Sequence, residues 1–464
     1  FYDEFEIGED FIDQELLQSV DEMDTSMFMM DDDDFQLGED EQVQVQFKNQ
    51  PMIQQQQQQQ QEIEQQEQYN RRQEERRNQQ DETEHLKNAK LYVINNRKRK
   101  KISKADYPHL RKPMDKNAIT LLRRVFPNMQ PTPIVRLTAF EDTLHVKRIF
   151  VKDESRRSDL KSFHVLGTTY TMLSTQATAK NYTCATNDGN FGRAVAWTSN
   201  VIMKRTEPAI VYMPMDTPKK RVESVFQAGG QPALCSGDYT QAINKCQQED
   251  RGMMISEAYQ QPLPMLPGRL MCGYKVIVQE LAHQLNDAGC EPTHIFVQAG
   301  SSLPAAIAYY YHLIATQKPV PKLILVESFF HPFFFKLLDN TQDMQAPPNH
   351  PLLGFTHGPQ VKNTRLQGLH HHAPLLHDEI QLIMDTFDMF LRVFDNSVQR
   401  CMKLLFQNQQ QIYSGETGAA ASLTALIWSA SYVDVRETLQ LNRNSNVVII
   451  NTEGDVDTEF FGSV

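Results

Sequence analysis

The chain has 464 residues, with 46 Lys and Arg against 58 Asp and Glu and a formal net charge of −12. That length exceeds one small domain and allows a large buried core. No apolar run is long enough to span a membrane, and no basic stretch precedes an apolar run in the manner of a signal peptide.

The charge is uneven. Residues 1–41 hold 17 of the acidic side chains and neither Lys nor Arg, so the acidity belongs to a tail and the remainder is close to neutral. In that segment acids interleave with Phe, Tyr, Met and Leu, as in "FYDEFEIGEDFIDQELLQSV". A glutamine tract follows, Gln54 to Gln61, and then a Gln/Glu/Arg stretch. High charge with few apolar faces predicts a disordered tail over 1–106. Its acidic-hydrophobic part suits a protein partner, bound in a groove through the aromatics; the plainer reading is a solvated extension with no specific partner. "NRKRKK", Asn96 to Lys101, reads either as a nuclear-import patch or as a solvated basic turn ahead of the fold. The compartment expected is cytoplasmic or nuclear. Nothing in the basic content indicates nucleic-acid binding. The six cysteines, at 184, 235, 246, 272, 290 and 401, lie far apart with no Cys-x-x-Cys pair, which reads as reduced intracellular thiols.

From about 107 to 464, β-like and helix-like segments alternate. "IFVKDE" (149–154) is a β run and "SFHVLGTTYTMLST" (162–175) has helical spacing. "YTCAT" (182–186) reads as a strand and "FGRAVAWTSNVIM" (191–203) as a helix. "AIVYMP" (209–214) is a strand. "PKKRVESVFQAG" (218–229) is a helix, with proline at its start and glycine at its end. "QPALCSG" and "DYTQAINKCQQED" repeat the pattern, as do "THIFVQAG" with "PAAIAYYYHLIA", then "KLILVES", then "AAASLTALIWSAS" with "NVVIIN". Such repeats predict an α/β fold of parallel-rich sheets flanked by helices, in two domains, the smaller spanning roughly 160–255.

Ligands in these folds sit at the carboxyl ends of strands. Four segments lie there: "NDGNFG" (187–192), "QAGSSLP" (298–304), "SGETGAAAS" (414–422) and "NTEGDVD" (451–457). Small and amide residues allow close backbone approach, and a helix start offers N–H groups to an anion. Each alone is most simply a turn.

Together and in order, these segments resemble the fold type II pyridoxal-phosphate (PLP) enzymes, the tryptophan synthase β-like family, and look most like the diaminopropionate ammonia-lyases. "PTPIVRL" (131–137), "KDESRRSDLKSFHVLG" (152–167), "ATNDGNFGRAVAW" (185–197), "CGYKVIVQEL" (272–281), "LQGL" (366–369), "SGETGA" and "INTEGDVD" carry the resemblance. It implies a lysine Schiff base to PLP, with the ring as electron sink. It also implies a homodimer. It places Asn190 against the PLP hydroxyl, Asp188 as a base, and Thr452 to Asp455 near the pyridine nitrogen. It sets Gly300, Ser301 and Ser302 in the phosphate loop.

The resemblance breaks at the anchor. The family frame, near L-N-A-F-K-V-L-G, is here Leu160 to Gly167, with His164 at the lysine position. Imidazole cannot form the imine. Lys161, one helical turn earlier, is the alternative amine, expected on roughly the same helix face. The phosphate loop has Ser302 for a second glycine and Pro304, which supplies no N–H; Phe191 stands where histidine is usual; and "GLHHH" (368–372) replaces a Cys-Gly string. These departures argue against bound PLP. They point to a catalytically degenerate ammonia-lyase relative kept as a binding or regulatory scaffold; the alternatives are an active lyase or dehydratase using Lys161 and a binder of some other ligand. His370, His371 and His372, with His377, suggest a metal, but adjacent histidines point in different directions, so none is expected. "FFHPFFFKLL" (329–338) reads as core or dimer interface.

Overall fold

The computed structural model describes residues 93–97, 99–175, 181–256, 266–339, 364, 366–369 and 377–455. The acidic segment, the glutamine tract and His370 to His372 lie outside the described residues. No described helix is long and apolar enough to cross a membrane.

Two sheets form the frame. The larger has seven strands: β1 (Val93–Asn95), β2 (Ile134–Arg136), β3 (Arg148–Asp153), β8 (His294–Gln298), β9 (Lys322–Ser328), β10 (Met389–Val393) and β11 (Asn446–Asn451). The smaller is built from β4 (Tyr182–Ala185), β5 (Ala209–Pro214), β6 (Gly230–Cys235) and β7 (Met253–Met254). The large sheet runs β1-β10-β9-β8-β11-β3-β2 and the small one β6-β5-β4-β7. All pairings in the small sheet are parallel, and in the large sheet only the two outermost, β1 with β10 and β2 with β3, are antiparallel. The inner strands β4, β5 and β8 are buried throughout, as continuous apolar runs in a parallel sheet must be.

The helices that shape the cleft are α1 (His164–Ser174), α2 (Asn190–Trp197), α3 (Lys219–Gln227), α4 (Leu266–Asp287), α5 (Leu303–Tyr309) and α8 (Ala419–Ser431); α6 (Phe333–Asp339) and α7 (His377–Thr386) lie further along the large sheet. Helices α1 and α4 touch backbone to backbone. A Cβ at Gly167 would strike the Tyr274 ring, and one at Gly273 would strike the Gly167 backbone. Only glycine permits that approach.

A buried charge cluster fixes the chain that leads into α1. The Lys152 ammonium, at the end of β3, donates to Glu280 on α4 (2.9 Å), the Thr132 carbonyl (2.8 Å) and Gln284 (3.0 Å). Arg157 forks onto Glu154 (2.7 and 2.8 Å) and Glu280 (2.6 and 2.9 Å). Two cations thus meet two carboxylates in the dry interior.

The fold begins earlier than residue 107. β1 adds to the sheet, and the buried Asn96 amide donates to the carbonyls of Met384 (2.6 Å) and Phe387 (2.9 Å). Arg99 pairs with Asp388, and Lys100 with Asp385 at 3.0 Å. The basic run is exposed, and two of its cations pair with acids far away in sequence. In the aromatic segment, Phe334 stacks on Phe390, the Arg392 guanidinium lies over Phe335, and the buried Glu327 carboxylate accepts the Phe334 and Phe335 N–H groups. Those two phenylalanines are core.

Arg157→Leu leaves Glu154 and Glu280 buried with one cation, and should cost about 3–5 kcal/mol in chemical denaturation. Lys104→Ala, which removes an exposed pair with Asp115, should cost less than about 1 kcal/mol.

Candidate functional site

The carboxyl ends of β8 and β11 and the loop after β4 converge on one cleft. Its lining includes His164, Asp188, Asn190, Gln298, Gly300, Ser301, Thr417, Thr452 and Glu453. An adjoining cavity shares His164, Asp188, Gly300 and Gly368 and adds Phe191 and Tyr239. Of the residues singled out from sequence, Ser302, Lys161, Gly454 and Asp455 do not line either space.

His164 opens α1 and its ring faces the cleft. Nδ1 lies 3.1 Å from the Tyr274 hydroxyl. Phe163 packs at 4.1 Å between ring centroids, and Phe191 meets the imidazole edge-on at 5.6 Å. Burial among these rings pushes the His164 pKa down to about 4, with Asp188 opposing weakly. The imidazole is neutral at physiological pH.

A carboxylate network forms the opposite wall. The Asn190 amide donates to Asp188 (3.1 Å) and Glu453 (2.5 Å). The Thr417 hydroxyl and N–H both donate to Glu453, at 2.5 and 2.9 Å. Arg221 on α3 pairs with Glu416 at 2.6 Å and donates to the Asp188 carbonyl at 2.9 Å. Burial, with Glu416 nearby and Arg221 opposing, raises the Glu453 pKa to about 7. Arg193, one turn along α2, holds the Asn190 carbonyl at 3.3 Å and so sets which way that amide faces.

The segment "QAGSS" forms the floor. Gly300 is left-handed, with φ +95°, and a Cβ there would overlap the Gly368 carbonyl. The short 3₁₀ turn Gln367–Leu369 therefore lies directly on the loop, pinned by the Asn187 amide donating to the Gln367 carbonyl at 2.7 Å. The Gly368 carbonyl thus packs against the Gly300 backbone, and the following α5 runs on without a break into a π-helical turn, Tyr310–Ile314.

Lys161 is not on the face of α1. The helix starts three residues later, and Lys161 itself has φ +51°. Its ammonium pairs with Asp455 at 2.7 Å with the side chain 45% exposed. The expectation of a shared helix face fails because a left-handed residue turns the chain before the helix begins. Among the described residues no lysine lines the cleft, and no cluster of three or more His, Cys, Asp or Glu is arranged to hold a metal. Sequence reasoning gave no role to Tyr274, Gln298 or Arg221. The first two lay inside quoted motifs, but only the packing shows their use.

A family model described as pyridoxal-phosphate dependent enzyme matches residues 125–453. The chain belongs to that family. It is 25% identical to diaminopropionate ammonia-lyase of Escherichia coli strain K12 over 372 residues, covering 72% of this chain and 87% of the relative. The crystal structure of that Escherichia coli enzyme with D-serine superposes with a TM-score of 0.66 at 22% identity, covering 80% of this chain and 95% of the other. Maize serine racemase superposes at 0.56 and 18% identity, with 77% and 96% covered. These likenesses carry the fold.

The residues present do not fit a Schiff-base-bound PLP. The position that the resemblance gives to the anchoring lysine is His164, both hydrogens of the Asn190 amide are taken by carboxylates, and the Gly368 carbonyl lies against Gly300. The cleft proper has about 30 Å³ of room, enough for about two waters.

The His164 shift has a sign. Unfolded imidazole takes its proton near pH 6.5, whereas the folded chain holds it off until about 4. Folding stability from this group is lost as pH falls through 6.5 towards 4. His164→Gln should therefore show a smaller loss of stability between pH 7 and 4.5 than the native chain. Nitrogen-15 spectra of the imidazole should give a midpoint near 4; one near 6.5 contradicts the burial.

Proposed function

We propose that this chain is a catalytically degenerate relative of the PLP-dependent ammonia-lyases that serves as a binding or regulatory scaffold. One observation carries the reading: the side chain that α1 presents to the cleft, at the lysine position implied by resemblance, is His164. The family's chemistry needs an amine there to hold the cofactor and to return a proton at the substrate carbon. A neutral imidazole wedged between Phe163, Phe191 and Tyr274 does neither.

The competing reading, an active lyase or dehydratase working through Lys161, has less support. That ammonium is engaged by Asp455, and its residue does not line the cleft. The proposal also includes assembly as a homodimer, which the resemblance implies, and a protein partner for the acidic segment.

The test is turnover. Purified chain with excess PLP and 2,3-diaminopropionate or serine should release no ammonia above a protein-free control. The His164→Lys variant should stay inactive too, because the engaged Asn190 amide and the small cleft are independent obstacles. Ammonia released by the native chain overturns the proposal. Release by His164→Lys alone would show that the anchor is the only part lost.

A further inference from the structure

Far from the cleft, residues 99–103 form neither helix nor strand and run between β1 and a 3₁₀ turn, Lys104–Asp106. Arg99, Lys100, Lys101 and Ser103 are exposed, and the Ser103 backbone is extended, with φ −134° and ψ 163°. Ile102 packs half-buried against the core. The Lys100 N–H donates to the Asp385 carbonyl at 3.2 Å, and the Lys100 side chain, though paired with the Asp385 carboxylate, is 53% exposed. An exposed pair of that kind is cheap to open.

The sequence adds an independent observation. Ser103 is the only serine or threonine of the chain with a cation at both the second and the third position before it, Lys101 and Lys100, and Arg99 extends the run. Basophilic kinases select substrates by such a charge pattern, laid out on an extended backbone. Other hydroxyls beside basic residues are not presented in this way. Ser158 follows Arg156 and Arg157, but the Arg157 side chain is only 1% exposed and belongs to the buried charge cluster. Ser224 lies within α3 and donates to the Arg221 carbonyl at 2.7 Å, while the Arg221 guanidinium is buried against Glu416.

We propose that Ser103 is a phosphorylation site for a basophilic serine/threonine kinase, and that its phosphate is a charge switch on the strap 99–106. In the transfer, Ser103 Oγ bonds to the γ-phosphorus of MgATP, and the bond from that phosphorus to the β–γ bridging oxygen breaks. ADP leaves, and the hydroxyl proton passes to the base of the kinase. The product brings about two negative charges at neutral pH. They arrive beside Asp106, whose carboxylate accepts the Ser103 N–H at 2.7 Å and the Ser103 hydroxyl at 3.1 Å. Like charges drive that carboxylate off and end both bonds. Lys100 and Lys104 flank the phosphate in sequence and are drawn to it, away from Asp385 and Asp115, which they meet at 3.0 and 2.7 Å. Asp385 keeps the Tyr107 hydroxyl at 2.9 Å and the Gln381 amide at 2.7 Å, so the fold stays while the strap loosens. None of this depends on whether PLP binds.

The experiment incubates the purified full chain with MgATP and the catalytic subunit of cyclic-AMP-dependent protein kinase, followed by peptide mass spectrometry. Ser103 should become phosphorylated to near completion, and that phosphopeptide should vanish in Ser103→Ala. The variant with both Lys100→Ala and Lys101→Ala should be modified at Ser103 about tenfold more slowly, the loss of two exposed charge pairs with the kinase. Circular dichroism checks that the variants fold; if the double variant does not, Lys101→Ala alone decides, with a smaller slowing in the same direction. A synthetic peptide of residues 97–106 is the control for the motif itself. Peptide modified but full chain untouched overturns the site, because the fold then hides the serine. No Ser103 phosphate on either, or a rate unchanged by loss of the lysines, overturns it as well. Hydrogen exchange then reads the switch: amides of 99–106 should exchange several-fold faster in the phosphorylated chain, with those of β10 unchanged. Equal exchange over 99–106 overturns the loosening.

Discussion

The cluster of Lys152, Glu154, Arg157 and Glu280 is the constraint on which the site depends. Two cations and two carboxylates share the interior, each oxygen and nitrogen engaged at short range. Such a cluster tolerates no partial loss, because any single deletion strands a charge in low dielectric. It ties the end of β3 and the turn after it to α4. The same α4 touches α1 through Gly273 and Gly167 and supplies Tyr274 to the imidazole. The position of His164 is thus set from two directions by groups that are not themselves in the cleft.

That rigidity is built outside the cleft. The charge cluster, the strand order and the glycine crossing owe nothing to a bound cofactor. In the cleft itself the Gly368 carbonyl lies against Gly300, Asn190 turns its amide onto Asp188 and Glu453, and aromatic rings flank the imidazole. The outcome is a small space with Asp188 and Glu453 in its lining.

Much of the frame was legible in the sequence. "AIVYMP" and "NVVIIN" coincide with β5 and β11, because buried parallel strands are continuous apolar runs bounded by turns. β1 and β10 were not legible. β1 is three residues long, β10 is five and contains Arg392, and their pairing joins segments almost 300 residues apart. The acid partners of Arg99 and Lys100 were not legible for the same reason, since Asp385 and Asp388 are distant in sequence. At the site, His164 was visible from the motif frame. The orientation of Lys161 was not, because nothing local announces its left-handed backbone.

The central claim is that no amine of this chain holds PLP in the cleft. The most direct measurement is borohydride reduction of the purified chain with PLP, followed by peptide mass spectrometry, with Lys161→Ala alongside. The account predicts no pyridoxyl adduct on Lys161 beyond the level of exposed surface lysines, and the same pattern in Lys161→Ala apart from that peptide. A stoichiometric adduct on Lys161, lost in the variant, would contradict it.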